Sequence, residues 1–149
     1  MTMKRTQWLA CVLVAYTAIL ISVVVFKTIP TLHIGHFRLR LGGPHAGPAN
    51  LVPFRTVVPQ LIGSGNHLIR AVNLLGNFLS FLPIGFVAPL VFRSVSWQKS
   101  LVLGIITALT FEGMEGLFRV GTFDIDDVML NALGVAAGYG VHVLFRRAM

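Results

Sequence analysis

The acidic side chains of this 149-residue chain are Glu112, Glu115, Asp124, Asp126 and Asp127, and no other carboxylate occurs along it. Carboxylates gathered this closely can do several kinds of chemistry. Their oxygens suit a hard divalent cation, for which Glu112, Asp126 and Asp127 are the candidate ligands. A cation held there can meet the phosphate of a lipid headgroup or polyprenyl carrier, assisted by Arg70 or Arg119. Alternatively, a carboxyl withdrawn from water can act as a general acid or base. Neither a nucleophile–base pair nor a complete metal motif accompanies the acids, so the sequence fixes no reaction and no cofactor. A structural reading stands beside these. Glu112, Arg119 and the aspartates can form a paired network that sets helix register. Asp124 can cap a following helix whose dipole favours Asp126 and Asp127 in its first turn.

The elements that must position these groups are apolar. Hydrophobic residues make up 55% of the chain and charged residues 11%, with a mean hydropathy of +0.79. Soluble domains carry about 25% charged residues, so this chain cannot cover a water-facing surface and lipid is its solvent. About 20 helical residues cross a bilayer. Four segments reach that length, at roughly 8–26, 68–92, 97–118 and 125–145. The expected fold is an all-α membrane protein, a single domain over 1–149 with four transmembrane helices and a long external loop between helices 1 and 2. The first segment follows Lys4 and Arg5 like a signal peptide, but it is long and lacks a small-x-small cleavage pattern, which makes it an uncleaved anchor. Pro83 lies inside the second span and predicts a kink. Cys11, the lone cysteine, reads as a small buried hydrophobe.

The formal net charge is +7. No basic helix or aromatic–basic module organises it, which argues against nucleic acid. It reads instead as topology and attraction to anionic lipid. Lys4 and Arg5, then Arg93 and Lys99, then Arg146 and Arg147 fall on one side of a four-span chain, and the positive-inside rule makes that side cytoplasmic. Both termini are then cytoplasmic in a multi-pass protein of the cell membrane. The loop from Thr28 to His67 is external and holds His33, His36, His45 and His67. Its "HFRLRL" alternates like a short strand or hairpin, "GGPHAGPAN" is a turn-rich break, and "LVPFRTVVPQLIG" is short enough to lie in the interface or re-enter. His33 and His36 have no acid or cysteine beside them, so zinc is a weak reading.

Helical spacing gathers the polar residues into stripes. Arg70, Asn73, Asn77 and Ser80 share one face of the second span; Glu112, Glu115 and Arg119 share one face of the third; Asp124, Asp127, Asn131, Gly134 and Gly138 share one face of the fourth. All the charged and amide groups fall within roughly 15 Å of the same membrane surface at 1.5 Å per residue. A charge at membrane depth costs on the order of 3 kcal/mol. The stripes therefore face one another around a polar pocket open to the outside, with Arg70 and Arg119 as neutralising partners. Gly134 and Gly138 form a small-xxx-small pair that lets another helix approach closely. Asn73, Asn77 and Asn131 are interhelical hydrogen-bond links or pocket lining.

Four ordered motifs, "NLVPF" from Asn50, "NLLGNFLSFLPIGF" from Asn73, "EGMEGLFR" from Glu112 and "FDIDDVMLNALGVAAGYG" from Phe123, resemble the VanZ-like membrane proteins. Where that family commonly carries Gln, this chain has Glu115. The resemblance implies a small helical membrane protein of the cell envelope, in a family whose named member is linked to resistance to the glycopeptide antibiotic teicoplanin. Two functions follow. One is binding of an amphipathic ligand, either an envelope or cell-wall precursor lipid or a lipoglycopeptide antibiotic, at the outer leaflet. The alternative is a membrane enzyme acting on a phosphate-bearing lipid by metal or carboxylate chemistry. Transport is a weaker option, which would need a homo-oligomer joined through Gly134 and Gly138.

The orientation has a direct test. A reporter that is active only in the cytosol should work when fused after Met149 and fail when inserted at Gly47. The reverse pattern would invert the topology.

Overall fold

The structure of the protein is a computed structural model that describes residues 4–25, 31–34, 37–40, 48–63, 67–92 and 95–148; for 31–34, 37–40 and 67–70 it describes the backbone alone. Four helices in it are long and apolar enough to cross a membrane. Helix α1 (Arg5–Leu20) continues into a π-helical turn (Ile21–Val25). A two-stranded antiparallel hairpin follows, β1 (Thr31–Ile34) with β2 (Phe37–Arg40), in a register that sets His33 against Arg38. A short helix α2 (Val57–Ile62) then precedes α3 (His67–Val91), α4 (Trp97–Leu117) and α5 (Ile125–Ala148). The alternation in "HFRLRL" is thus a strand pair, with β2 starting at Phe37. The "GGPHAGPAN" break falls mostly on 42–47, outside the described residues, as do His36 and His45 and the side chains of His33 and His67.

Helix α5 is the centre of the bundle. It packs most extensively on α3 and then on α4, while α1 leans on α3 and its π turn on α4. The apolar core joins Leu20, Val25, Phe81, Ile84, Phe111 and Val135. Phe81 and Phe111 meet edge to face at 5.0 Å, the arrangement that ring quadrupoles favour. The outward faces carry Val14, Ile19, Leu79, Ile106 and Leu144 exposed, which suits helices whose solvent is acyl chain. Cys11 is exposed on α1, contrary to its reading as a buried hydrophobe. An apolar solvent removes the pressure that would have buried it.

Glycine decides how closely α3 and α5 approach. A Cβ at Gly134 would collide with the carbonyl oxygen of Phe78, and one at Gly138 with that of Leu82; from the other side, Gly85 meets the carbonyl of Val135. The small-xxx-small pair is therefore used inside the chain, by α3, and is not free to join a second copy. Helix α3 runs unbroken through Pro83 and Pro89. Pro83 has no N–H to offer the Leu79 carbonyl. One residue further on, the Ser80 carbonyl accepts the Tyr16 hydroxyl at 2.6 Å, tying α1 to α3.

Helix α4 ends in a Schellman arrangement. Val120 N–H donates to the Glu115 carbonyl at 3.1 Å and Arg119 N–H to that of Gly116 at 3.3 Å. The left-handed position is filled by Arg119, at φ 55°, where glycine is usual. This reversal brings the chain back into α5 within a few residues and sets the ends of α4 and α5 side by side.

Gly134→Ala and Gly138→Ala should each cost about 1–3 kcal/mol by overpacking. Gly140→Ala, whose Cβ would meet nothing within 4 Å, should be neutral. Thermal unfolding of the detergent-solubilised protein measures all three.

Candidate functional site

At the head of α5 the chain turns its acids inward and uses them on backbone. Asp124 caps the helix: its Oδ1 accepts the N–H of Asp126 at 2.9 Å, and its carbonyl accepts that of Val128 at 3.1 Å. The same Oδ1 accepts the Asn50 side-chain amide at 2.9 Å. Asn50 also forms a parallel bridge there, donating its N–H to the Phe123 carbonyl at 2.8 Å and accepting that of Ile125 at 2.9 Å. The segment from Asn50 is thereby fastened across the start of α5.

Asp126 fastens the rest of it. Its Oδ1 accepts the N–H of Phe54, and its Oδ2 accepts the N–H of Thr56 at 2.8 Å, the N–H of Val57 at 3.0 Å and the Thr56 hydroxyl at 2.7 Å. The carboxylate is only 1% exposed. Thr56 and Val57 stand at the beginning of α2, so the anion sits where orphan amides converge. Phe54 pays for this geometry with φ 67°, a left-handed conformation that costs about 1–3 kcal/mol and persists because four hydrogen bonds over-determine it.

Further groups surround this centre. Glu112 is buried and its Oε2 accepts the N–H of Asp124 at 3.1 Å, linking α4 to the α5 cap. Glu115 is buried beneath the turn after α4, with its Oε2 in the space that a Cβ on Gly121 would take. Asn77 on α3 donates its amide to Asp127 Oδ1, linking α3 to α5. Asn131 is 1% exposed one turn below, and its Oδ1 has no partner among the described residues.

Stripes from three helices therefore meet, but around protein backbone more than around a void. Hydrogen bonds join Glu112 to Asp124, Asp124 to Asp126 and Asn77 to Asp127, while Glu115 and Asn131 are buried on neighbouring turns of α4 and α5. Asn73 is exposed one turn above Asn77. Arg119 is exposed too, and among the described residues no ion pair joins it to a carboxylate. Its left-handed turn carries it out of the cluster, and amide N–H groups supply the positive partners it was expected to supply. Arg70 lies in the first turn of α3, and its side chain is outside the described residues. No three acids, histidines or cysteines among the described residues stand close enough to hold a metal, because the oxygens of Asp126 point at α2 while those of Asp127 point at α3. Sequence spacing missed Asn50, Phe54 and Thr56 as members of this centre. Asn50 and Phe54 lie in "NLVPF", but their contribution is largely main chain, which leaves no side-chain periodicity to find.

The arrangement defines a class: a four-helix membrane protein whose acids clamp an apolar loop segment onto one end of the bundle. The family model for VanZ/LLP1 matches residues 12–146, and the chain belongs to that family. It is 26% identical over 137 residues to Protein VanZ of Enterococcus faecium, a match covering 92% of this chain and 74% of that protein. No solved structure matches.

Asp126→Ala leaves three backbone N–H groups without their acceptor. It should destabilise the protein by about 3 kcal/mol, since bonds to a buried charge are worth about 1.5–3 kcal/mol each and overlap. Amide exchange at Phe54, Thr56 and Val57 should accelerate before that of α5 does. Unchanged exchange at those amides would show that something else holds the segment.

Proposed function

We propose that this VanZ/LLP1-family protein binds an amphipathic envelope ligand at the acid-bearing end of its bundle and thereby changes susceptibility to teicoplanin. The ligand is a membrane lipid, a cell-wall lipid precursor or a lipoglycopeptide, and the acid-bearing end faces outward with both termini in the cytoplasm.

One observation carries the reading. The clamped segment presents Leu51, Val52, Phe54, Leu61 and Ile62 exposed, while the N–H groups of Phe54, Thr56 and Val57 are taken up by Asp126. Apolar side chains on a backbone whose donors are met there suit contact with acyl chain. At the same end of the helices, exposed Asn73 and Arg119 and half-buried Asp127 supply polar groups. An apolar patch rimmed by polar groups suits a molecule with a polar head and a lipid tail. Binding is favoured over turnover because Asp124, Asp126 and Glu112 already accept backbone hydrogen bonds that fix the loop. Membership of the family that includes the enterococcal Protein VanZ supports the envelope setting.

Cells expressing the chain should tolerate more teicoplanin than cells with empty vector, with vancomycin as the comparison drug. Leu51→Ser with Phe54→Asn should abolish that difference at unchanged membrane levels, because Asn accepts the left-handed backbone while removing the apolar ring. Full protection by the double variant would overturn the proposal.

A further inference from the structure

The opposite end of the bundle holds a cavity of about 330 Å³, lined by Pro89, Val95, Tyr139, His142, Val143, Arg146 and Arg147. The geometry points to a binding site for the phosphate-bearing headgroup of an anionic phospholipid, distinct from the acid-bearing end. Four observations meet there.

First, the charge is one-sided. Arg146 and Arg147 line the cavity and no carboxylate side chain does. The nearest acid along α5 is Asp127, 19 residues from Arg146 and so about 28 Å along the helix axis. Second, a polar side chain is withheld from water. His142 is 3% exposed, and its Nδ1 has no hydrogen-bond partner among the described residues although the ring lines the cavity. A buried ring nitrogen left unmatched is unfavourable, and a ligand oxygen or its bound water can supply the partner. Third, the ring is held in place. Phe86 meets it edge-on at 5.8 Å and Tyr139 stacks on it at 6.5 Å. Fourth, the other walls, Pro89, Val95 and Val143, are apolar, and exposed Phe92, Trp97 and Phe145 lie in the adjoining ends of α3, α4 and α5. Aromatic side chains at helix ends mark the headgroup level of a bilayer. Guanidinium groups suit phosphate through paired donors, and the apolar wall suits the glycerol and first methylenes that follow it.

Positive residues at helix ends also serve topology, so the test separates a site from general charge. The full-length protein, solubilised in neutral detergent, is offered phosphatidylglycerol or phosphatidylcholine and the retained lipid is read by native mass spectrometry. Wild type should prefer phosphatidylglycerol. Arg146→Gln with Arg147→Gln should reduce that preference about tenfold or more, because both cations that line the cavity are lost. His142→Phe, which keeps an aromatic ring and removes both nitrogens, should weaken retention in the same direction. Lys4→Gln with Arg5→Gln removes two exposed charges from the same end of the bundle without touching the cavity, and should leave the preference intact. Three results would each overturn the assignment: equal retention of the two lipids by wild type, equal loss in the Lys4/Arg5 and Arg146/Arg147 variants, or full displacement of the lipid by excess inorganic phosphate. The last would make free phosphate the ligand and the apolar wall incidental.

Discussion

The carboxylate of Asp126 is the interaction on which the architecture of this end of the bundle depends. It is nearly fully buried, and it accepts three backbone N–H groups and a hydroxyl from residues 54–57. In a low-dielectric setting a lone anion is costly and so is an unmatched amide. Bringing them together satisfies both. That exchange lets an irregular segment, carrying a left-handed Phe54, lie against the end of a membrane bundle with its apolar side chains facing out.

The remaining acids extend the same logic. Each one serves a different junction: Asp124 the start of α5 and the Asn50 bridge, Glu112 the contact between α4 and α5, Asp127 the contact between α3 and α5. Because α4 turns back sharply through Arg119, these junctions fall within one small region. The clustering of every carboxylate in this chain follows from that. Asp124, Asp126 and Glu112 sit where backbone donors gather, and a helix N-terminus beside a loop is where they do. The cationic end of the bundle is the electrostatic complement, with Arg146 and Arg147 beside the last turn of α5, where the dipole favours them.

Close packing of α3 on α5 gives this network a rigid frame. Gly85, Gly134 and Gly138 allow backbone to touch backbone, and the Asn77–Asp127 bond sits on the same seam. In lipid there is little hydrophobic gain from bringing two apolar helices together, so dispersion contacts and a few polar links must do it. The exposed apolar patch of Leu51, Val52 and Phe54 inherits its position from this seam through Asp126.

Much was legible in the residues alone. Hydropathy and length determined four helices, because lipid tolerates few other structures and demands runs of about 20 apolar residues. Spacing determined that Asn77, Glu112 and Asp127 each lie on the polar stripe of its own helix, at one end of the spans, since helical geometry is local. The Asp124 cap and the close approach at Gly134 and Gly138 were legible for the same reason. What only the tertiary structure decided was the partner of each group. The glycine pair met α3 of the same chain, Arg119 turned outward, and the carboxylates found amides of a loop some 70 residues earlier in the chain. Main-chain donors are the same at every position but proline, so no pattern of side chains announces which of them an anion will capture.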